Sequence, residues 1–129
     1  MGKRYKILVV DDDPIILELI EGMLIPAGYY VTTLSDSTRI IDTMKNAQPD
    51  LILLDIMMPV EDGFTILNKL KRGMNRSNIP VVMVTAIMDD DHKGTAGKGG
   101  ASAYITKPID RTLLLDTIAR LLPDSESSG

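Results

Sequence analysis

The chain has 129 residues, and a single domain commonly takes about 100–200, so one compact domain is expected. Apolar residues at 44% and charged ones at 25% suit a globular protein with a real core, and a formal net charge of -4 argues against nonspecific binding to nucleic-acid phosphates. Cys is absent, which excludes disulfides, zinc thiolates and thiol nucleophiles and fits a reducing, cytoplasmic setting; no apolar run approaches the roughly 20 residues of a membrane span.

Short apolar runs alternate with amphipathic stretches. Ile7-Leu8-Val9-Val10 stops at Asp11-Asp12-Asp13-Pro14 and reads as a strand. Pro14 suits a first helical turn, and Ile16, Leu17, Ile20, Met23 and Leu24 follow at helical spacing, with Asp13 as the expected cap. After the turn signal Gly28, Tyr30-Val31-Thr32-Thr33 is a weaker strand. Ile40, Ile41 and Met44 predict a helix that ends near Gln48-Pro49.

Leu51-Ile52-Leu53-Leu54 is a second full apolar run, stopped by Asp55. Phe64, Leu67 and Leu70-Lys71 predict a third helix, ended near Gly73. Val81-Val82-Met83-Val84 follows Pro80 and stops at Thr85. The next helix is weak, because Gly94, Gly97, Gly99 and Gly100 each cost roughly 1 kcal/mol against Ala in a helix interior. Ala103-Tyr104-Ile105 precedes Lys107-Pro108, and Leu113, Leu114, Ile118, Leu121 and Leu122 predict a last helix stopped by Pro123. Residues 124–129 are small and polar, so they are expected to fray as a tail behind a domain of residues 1–123.

Strands and helices alternate throughout, and apolar runs without a polar face mark strands buried on both sides. The fold class is therefore α/β, with a parallel sheet of (βα)5 type. In such sheets ligands bind beyond the carboxyl ends of the strands. Those ends supply Asp11, Asp12, Asp55, Thr85 and Lys107. Three crowded carboxylates repel one another unless a cation neutralises them, and all-oxygen ligation favours a hard ion, Mg²⁺ above all. A metal flanked by an ammonium and a hydroxyl suits a phosphoryl group in transfer, and a carboxylate facing that group can be the nucleophile.

Each of these residues has a plainer reading. Acidic residues at strand ends are often helix caps, Lys107 alone would be a solvated lysine, and Tyr104 alone a half-buried strand aromatic. Their company in one order is what favours a site. Asp89-Asp90-Asp91-His92 is better read as acids opening a helix than as a metal site. An EF-hand fails there because Lys93 and Gly100 stand where oxygen ligands are needed.

The arrangement closely resembles the receiver domain of two-component response regulators. The matching residues are Val9-Val10-Asp11-Asp12, Leu53-Leu54-Asp55-Ile56-Met57-Met58-Pro59 with Asp62-Gly63, Val84-Thr85-Ala86, Gly100-Ala101 and Tyr104-Ile105-Thr106-Lys107-Pro108. The resemblance runs from about Lys6 to Leu122 and implies a flavodoxin-like, doubly wound sheet of strand order 2-1-3-4-5. It implies that Asp55 accepts a phosphoryl group from the phosphohistidine of a histidine kinase or phosphotransfer protein. Asp12 would hold Mg²⁺ directly, Asp11 mainly through water, and Met57 through its backbone carbonyl, with Asp55 itself a member of the metal set. Thr85 and Lys107 would each engage a phosphoryl oxygen, a cis bond would precede Pro108, and Thr85 with Tyr104 would form the switch. A downstream effector would meet the face formed by the fourth helix, fifth strand and last helix, and neither nucleic acid nor membrane would be a direct partner. The chain would then be a signalling switch, standing alone or part of a longer protein, whose only catalysis is its own phosphorylation and slow dephosphorylation.

Two other classes share parts of this pattern. A phosphohydrolase of the haloacid dehalogenase type would use Asp11-x-Asp13. However, Pro14-Ile15 fits its first motif poorly, no acidic pair stands at Thr85-Ala86, and the short chain lacks a cap. Turnover of p-nitrophenyl phosphate would discriminate the two. A flavin- or nucleotide-binding domain of the same fold would want a Gly-rich loop after Val10, where acids stand instead.

Overall fold

The computed structural model describes residues 4–55, 79–85 and 102–122. Strands β1 (Lys6–Val10), β2 (Tyr30–Leu34), β3 (Leu51–Asp55), β4 (Val81–Thr85) and β5 (Ala103–Thr106) form one sheet of order β2-β1-β3-β4-β5. All four pairings are parallel, as the uninterrupted apolar runs require. The described helices are α1 (Pro14–Leu24), α2 (Ile40–Ala47) and α3 (Arg111–Leu121), with a single 3-10 turn, Ser37–Arg39, leading into α2. The helices expected around Phe64–Lys71 and around Lys93–Gly100 lie outside the described residues.

Alternation along the strands divides the core in two. Leu8, Val10, Ile52, Leu54, Val81 and Met83 pack with Ile40 and Met44 of α2 on one face. Ile7, Val9, Leu51, Leu53, Val82, Val84 and Ile105 pack on the other with Leu17, Ile20 and Leu24 of α1 and Leu114 and Ile118 of α3. Successive strand residues point to opposite faces, so a run of apolar residues serves both layers at once. The doubly wound arrangement expected from the resemblance is the observed one.

The strand ends differ from the sequence expectation in one useful way. Asp55 and Thr85 are the last paired residues of β3 and β4, not the first residues beyond them. Pairing continues that far because Asp55 lies opposite Val84 and Thr85 opposite Thr106. Both side chains therefore hang from backbone held in the sheet.

Local chemistry sets the helix ends. Asp13 caps α1, its side chain accepting the Ile15 N–H at 2.9 Å, with Pro14 in the first turn. Gly28 takes φ 102 in the turn that returns the chain from α1 to β2. Gln48 closes α2 in a left-handed conformation, φ 48, and its N–H reaches Met44 O at 2.9 Å. Asp110 caps α3 by accepting the Leu113 N–H.

Candidate functional site

The site forms where β1, β3, β4 and β5 end. Asp11 follows β1 directly, and its N–H donates to Leu34 O at 3.1 Å, which ties the residue to the end of β2. Lys107 follows β5, and its N–H donates to Thr85 O at 2.7 Å. The Lys107-Pro108 peptide is cis, as the resemblance implied. Asp110 then fixes the entry to α3.

Carboxylate oxygens of Asp11, Asp12 and Asp55 lie within 4.8 Å of one another. Asp11 and Asp55 are buried, with 2% and 3% of their surface exposed, while Asp12 faces solvent. Each like-charged pair at such a separation costs on the order of 3–4 kcal/mol at an effective dielectric of about 20, so the cluster needs positive charge. Part of it comes from the chain. Lys107 Nζ lies 3.3 Å from Asp11 Oδ2 and 3.6 Å from Asp55 Oδ1. Among the described residues, three carboxylates against one ammonium leave two formal negative charges, the complement of a divalent cation. Two buried carboxylates and one exposed one also form a hard, all-oxygen donor set open to water, which suits Mg²⁺.

Asp11 has a further duty that the sequence did not announce. Its Oδ1 accepts the Asp13 N–H at 2.9 Å, shaping the turn into α1. The plain reading of the acids as local turn and cap residues is thus correct for Asp13 and true in part for Asp11. The Lys107–Asp11 pair was equally illegible, since it joins residues 96 positions apart and no local pattern encodes it.

Thr85 is fully buried at the mouth, beside the Asp55 strand. Tyr104 is half-buried, sits opposite Met83, and packs against the core on the α2 face. The structure thus brings Asp11, Asp12, Asp55 and Lys107 together, with Thr85 on the strand between those of Asp55 and Lys107. Met57 lies outside the described residues, as do Asp89 to His92.

With fold and site in place, the class is defined: an open parallel sheet carrying an acidic, lysine-bridged mouth at its carboxyl edge. The chain belongs to the response regulator receiver domain family, whose model matches residues 7–119. It is similar to the DNA-binding dual master transcriptional regulator RpaA of Synechocystis sp., 39% identical over 117 residues that cover 91% of this chain and 48% of RpaA. It is also similar to protein PilH of Pseudomonas aeruginosa, 33% identical over 91% of this chain and 97% of PilH. Among solved structures, the chemotaxis protein CheY4 of Vibrio cholerae superposes with a TM-score of 0.88 at 29% identity, covering 93% of this chain and all of CheY4. The chain therefore spans about half of RpaA and nearly the whole of PilH. It is a receiver domain of two-component signalling, a family of signalling switches.

Proposed function

We propose that Asp55 is the phosphoacceptor of this receiver and that its phosphorylation, with Mg²⁺ bound, is the switching event. The observation that carries the reading is the meeting of Asp11, Asp12 and Asp55 within 4.8 Å, with Lys107 Nζ 3.6 Å from Asp55 Oδ1. A carboxylate oxygen of Asp55 attacks the phosphorus of a phosphohistidine. The new P–O bond forms as the P–N bond breaks, and the electron pair returns to the imidazole nitrogen, which takes up a proton. Asp12 and Asp55 would hold the metal, Asp11 would hold it through water, and the backbone carbonyl of Met57 would complete the protein's share. Bound there, Mg²⁺ would supply positive charge for the transferring phosphoryl oxygens. Lys107 pairs with one phosphoryl oxygen and the Thr85 hydroxyl donates to another. Water later hydrolyses the acyl phosphate, so the chain catalyses only its own cycle.

Thr85, drawn toward the phosphoryl group, vacates space beneath the following loop, and Tyr104 turns further inward. A local charge event thereby biases the face built around the fifth strand and last helix. The partners are a histidine kinase or phosphotransfer protein upstream and an effector domain or protein downstream. RpaA is described as DNA-binding, but this chain's net charge of -4 supports no direct contact with nucleic acid. The reading takes residues 1–123 as the receiver unit and sets it in the cytoplasm. Among the described residues no helix is long and apolar enough to cross a membrane.

Incubation with acetyl phosphate and Mg²⁺ tests the reading. Intact mass should show one added phosphate, lost on treatment with hydroxylamine and absent in Asp55→Asn. Equal labelling of that variant would overturn the assignment.

A further inference from the structure

Asp11 divides its two carboxylate oxygens between different tasks. Oδ1 is taken by the Asp13 N–H at 2.9 Å, while Oδ2 receives the Lys107 ammonium at 3.3 Å. The Asp55 oxygen is farther from that ammonium, at 3.6 Å, a charge contact beyond hydrogen-bond length. Of the two buried acids, Asp11 is thus the one that holds Lys107 by a hydrogen bond. Its own backbone is anchored to Leu34 O, so the acceptor is fixed to the sheet while the lysine stem is intrinsically flexible.

The sheet order explains why this matters. β3 and β4 stand between β1 and β5, so the side chain of Lys107 crosses the mouth from the end of β5 toward Asp11 and comes to lie beside Asp55 on the way. We propose that Asp11 is a positioning residue for Lys107, holding the ammonium beside the acceptor carboxylate before any donor arrives. This role is separate from Asp11's contact with metal through water, and it rests on the reading of Asp55 as phosphoacceptor. A charge already in place needs no reorganisation at the moment of transfer.

The informative variant is Asp11→Asn. Its amide oxygen can still accept the Asp13 N–H, so the turn into α1 survives while the negative charge facing Lys107 is lost. Nitrogen-detected NMR of the metal-free protein reads the first consequence. The Lys107 ammonium should be resolved from solvent-exposed lysines in the wild type and in Asp12→Asn, and should merge with them in Asp11→Asn. The second readout is the rate of phosphorylation by acetyl phosphate at saturating Mg²⁺. Loss of the charged hydrogen bond should slow Asp11→Asn by about tenfold even there, whereas in a Lys107→Met background the same change should bring little further loss. An unchanged Lys107 resonance in Asp11→Asn, full rescue by Mg²⁺, or multiplicative losses in the double variant would each overturn the proposal. Wild-type labelling of Asp55→Asn would instead refute the phosphoacceptor reading, and the metal-free spectra would still decide the role of Asp11.

Discussion

Asp36 precedes the 3-10 turn into α2, and its carboxylate accepts two hydrogen bonds from Thr38, one from the hydroxyl at 2.6 Å and one from the backbone N–H at 3.0 Å. These bonds, the hydroxyl's first, hold its titration below the ordinary carboxylate value, and the charge of Arg39 adds to them. A depressed folded-state value stabilises the fold above the unfolded-state value, and that contribution is lost as pH falls through the folded one. Carboxyl NMR titration should therefore find Asp36 ionised to lower pH in the wild type than in Thr38→Val, and the acid limb of the stability curve should flatten in the variant. Equal titration in both proteins would show that the Thr38 hydroxyl does not hold the charge. Asp11, by contrast, shows what a single residue's sequence context conceals. A strand-end acid can be read as ligand or turn-former, but its partner at Lys107 is fixed only once the sheet is assembled.

Among the elements, α2 is closed by a residue that tolerates its conformation poorly. Gln48 has φ 48, where a side chain is disfavoured by roughly 1–2 kcal/mol and glycine is not. Glycine's greater freedom in the unfolded chain offsets part of this, so Gln48→Gly is expected to raise stability by about 0.5–1 kcal/mol, measured by urea denaturation. A loss of stability would mean that the Gln48 side chain makes contacts worth more than its backbone strain. The sequence foretold that this helix stops near Gln48-Pro49, because a residue followed by Pro is disfavoured in the right-handed α region, but the left-handed exit has no signature without Gly. The three central strands were legible for a simpler reason. β1, β3 and β4 are buried on both faces, so their sequences carry no polar interruption until the functional residue itself. The outer strands β2 and β5 have one neighbour each and mix half-buried positions, so their boundaries were the weaker reading.

At the scale of the molecule, the carboxyl edge of the sheet concentrates negative charge that, among the described residues, Lys107 only partly offsets, and folding must bring these groups together. A divalent ion binding only the folded state should stabilise it by RT ln(1 + [L]/Kd), about 2.7 kcal/mol at a hundredfold excess over Kd. Millimolar Mg²⁺ should therefore raise the melting temperature of the wild type, and Asp12→Ala should abolish the shift while melting no lower than wild type without metal. A metal-independent melting temperature in the wild type would contradict the charge argument. The α/β architecture and the acidic cluster were legible from the order of short runs and the residues that stop them, while the strand order followed only from the resemblance to receiver domains. The pairing of Lys107 with Asp11 was not, because it depends on β1 and β5 ending on one edge with β3 and β4 between them. The central claim is that one carboxylate at this edge receives the phosphoryl group. Borohydride reduction of the protein after treatment with acetyl phosphate and Mg²⁺, followed by peptide mass spectrometry, converts an aspartyl phosphate to a homoserine at the modified position. The account predicts homoserine at position 55 alone; homoserine at 11, 12 or 13, or a modification elsewhere with Asp55 intact, would contradict it.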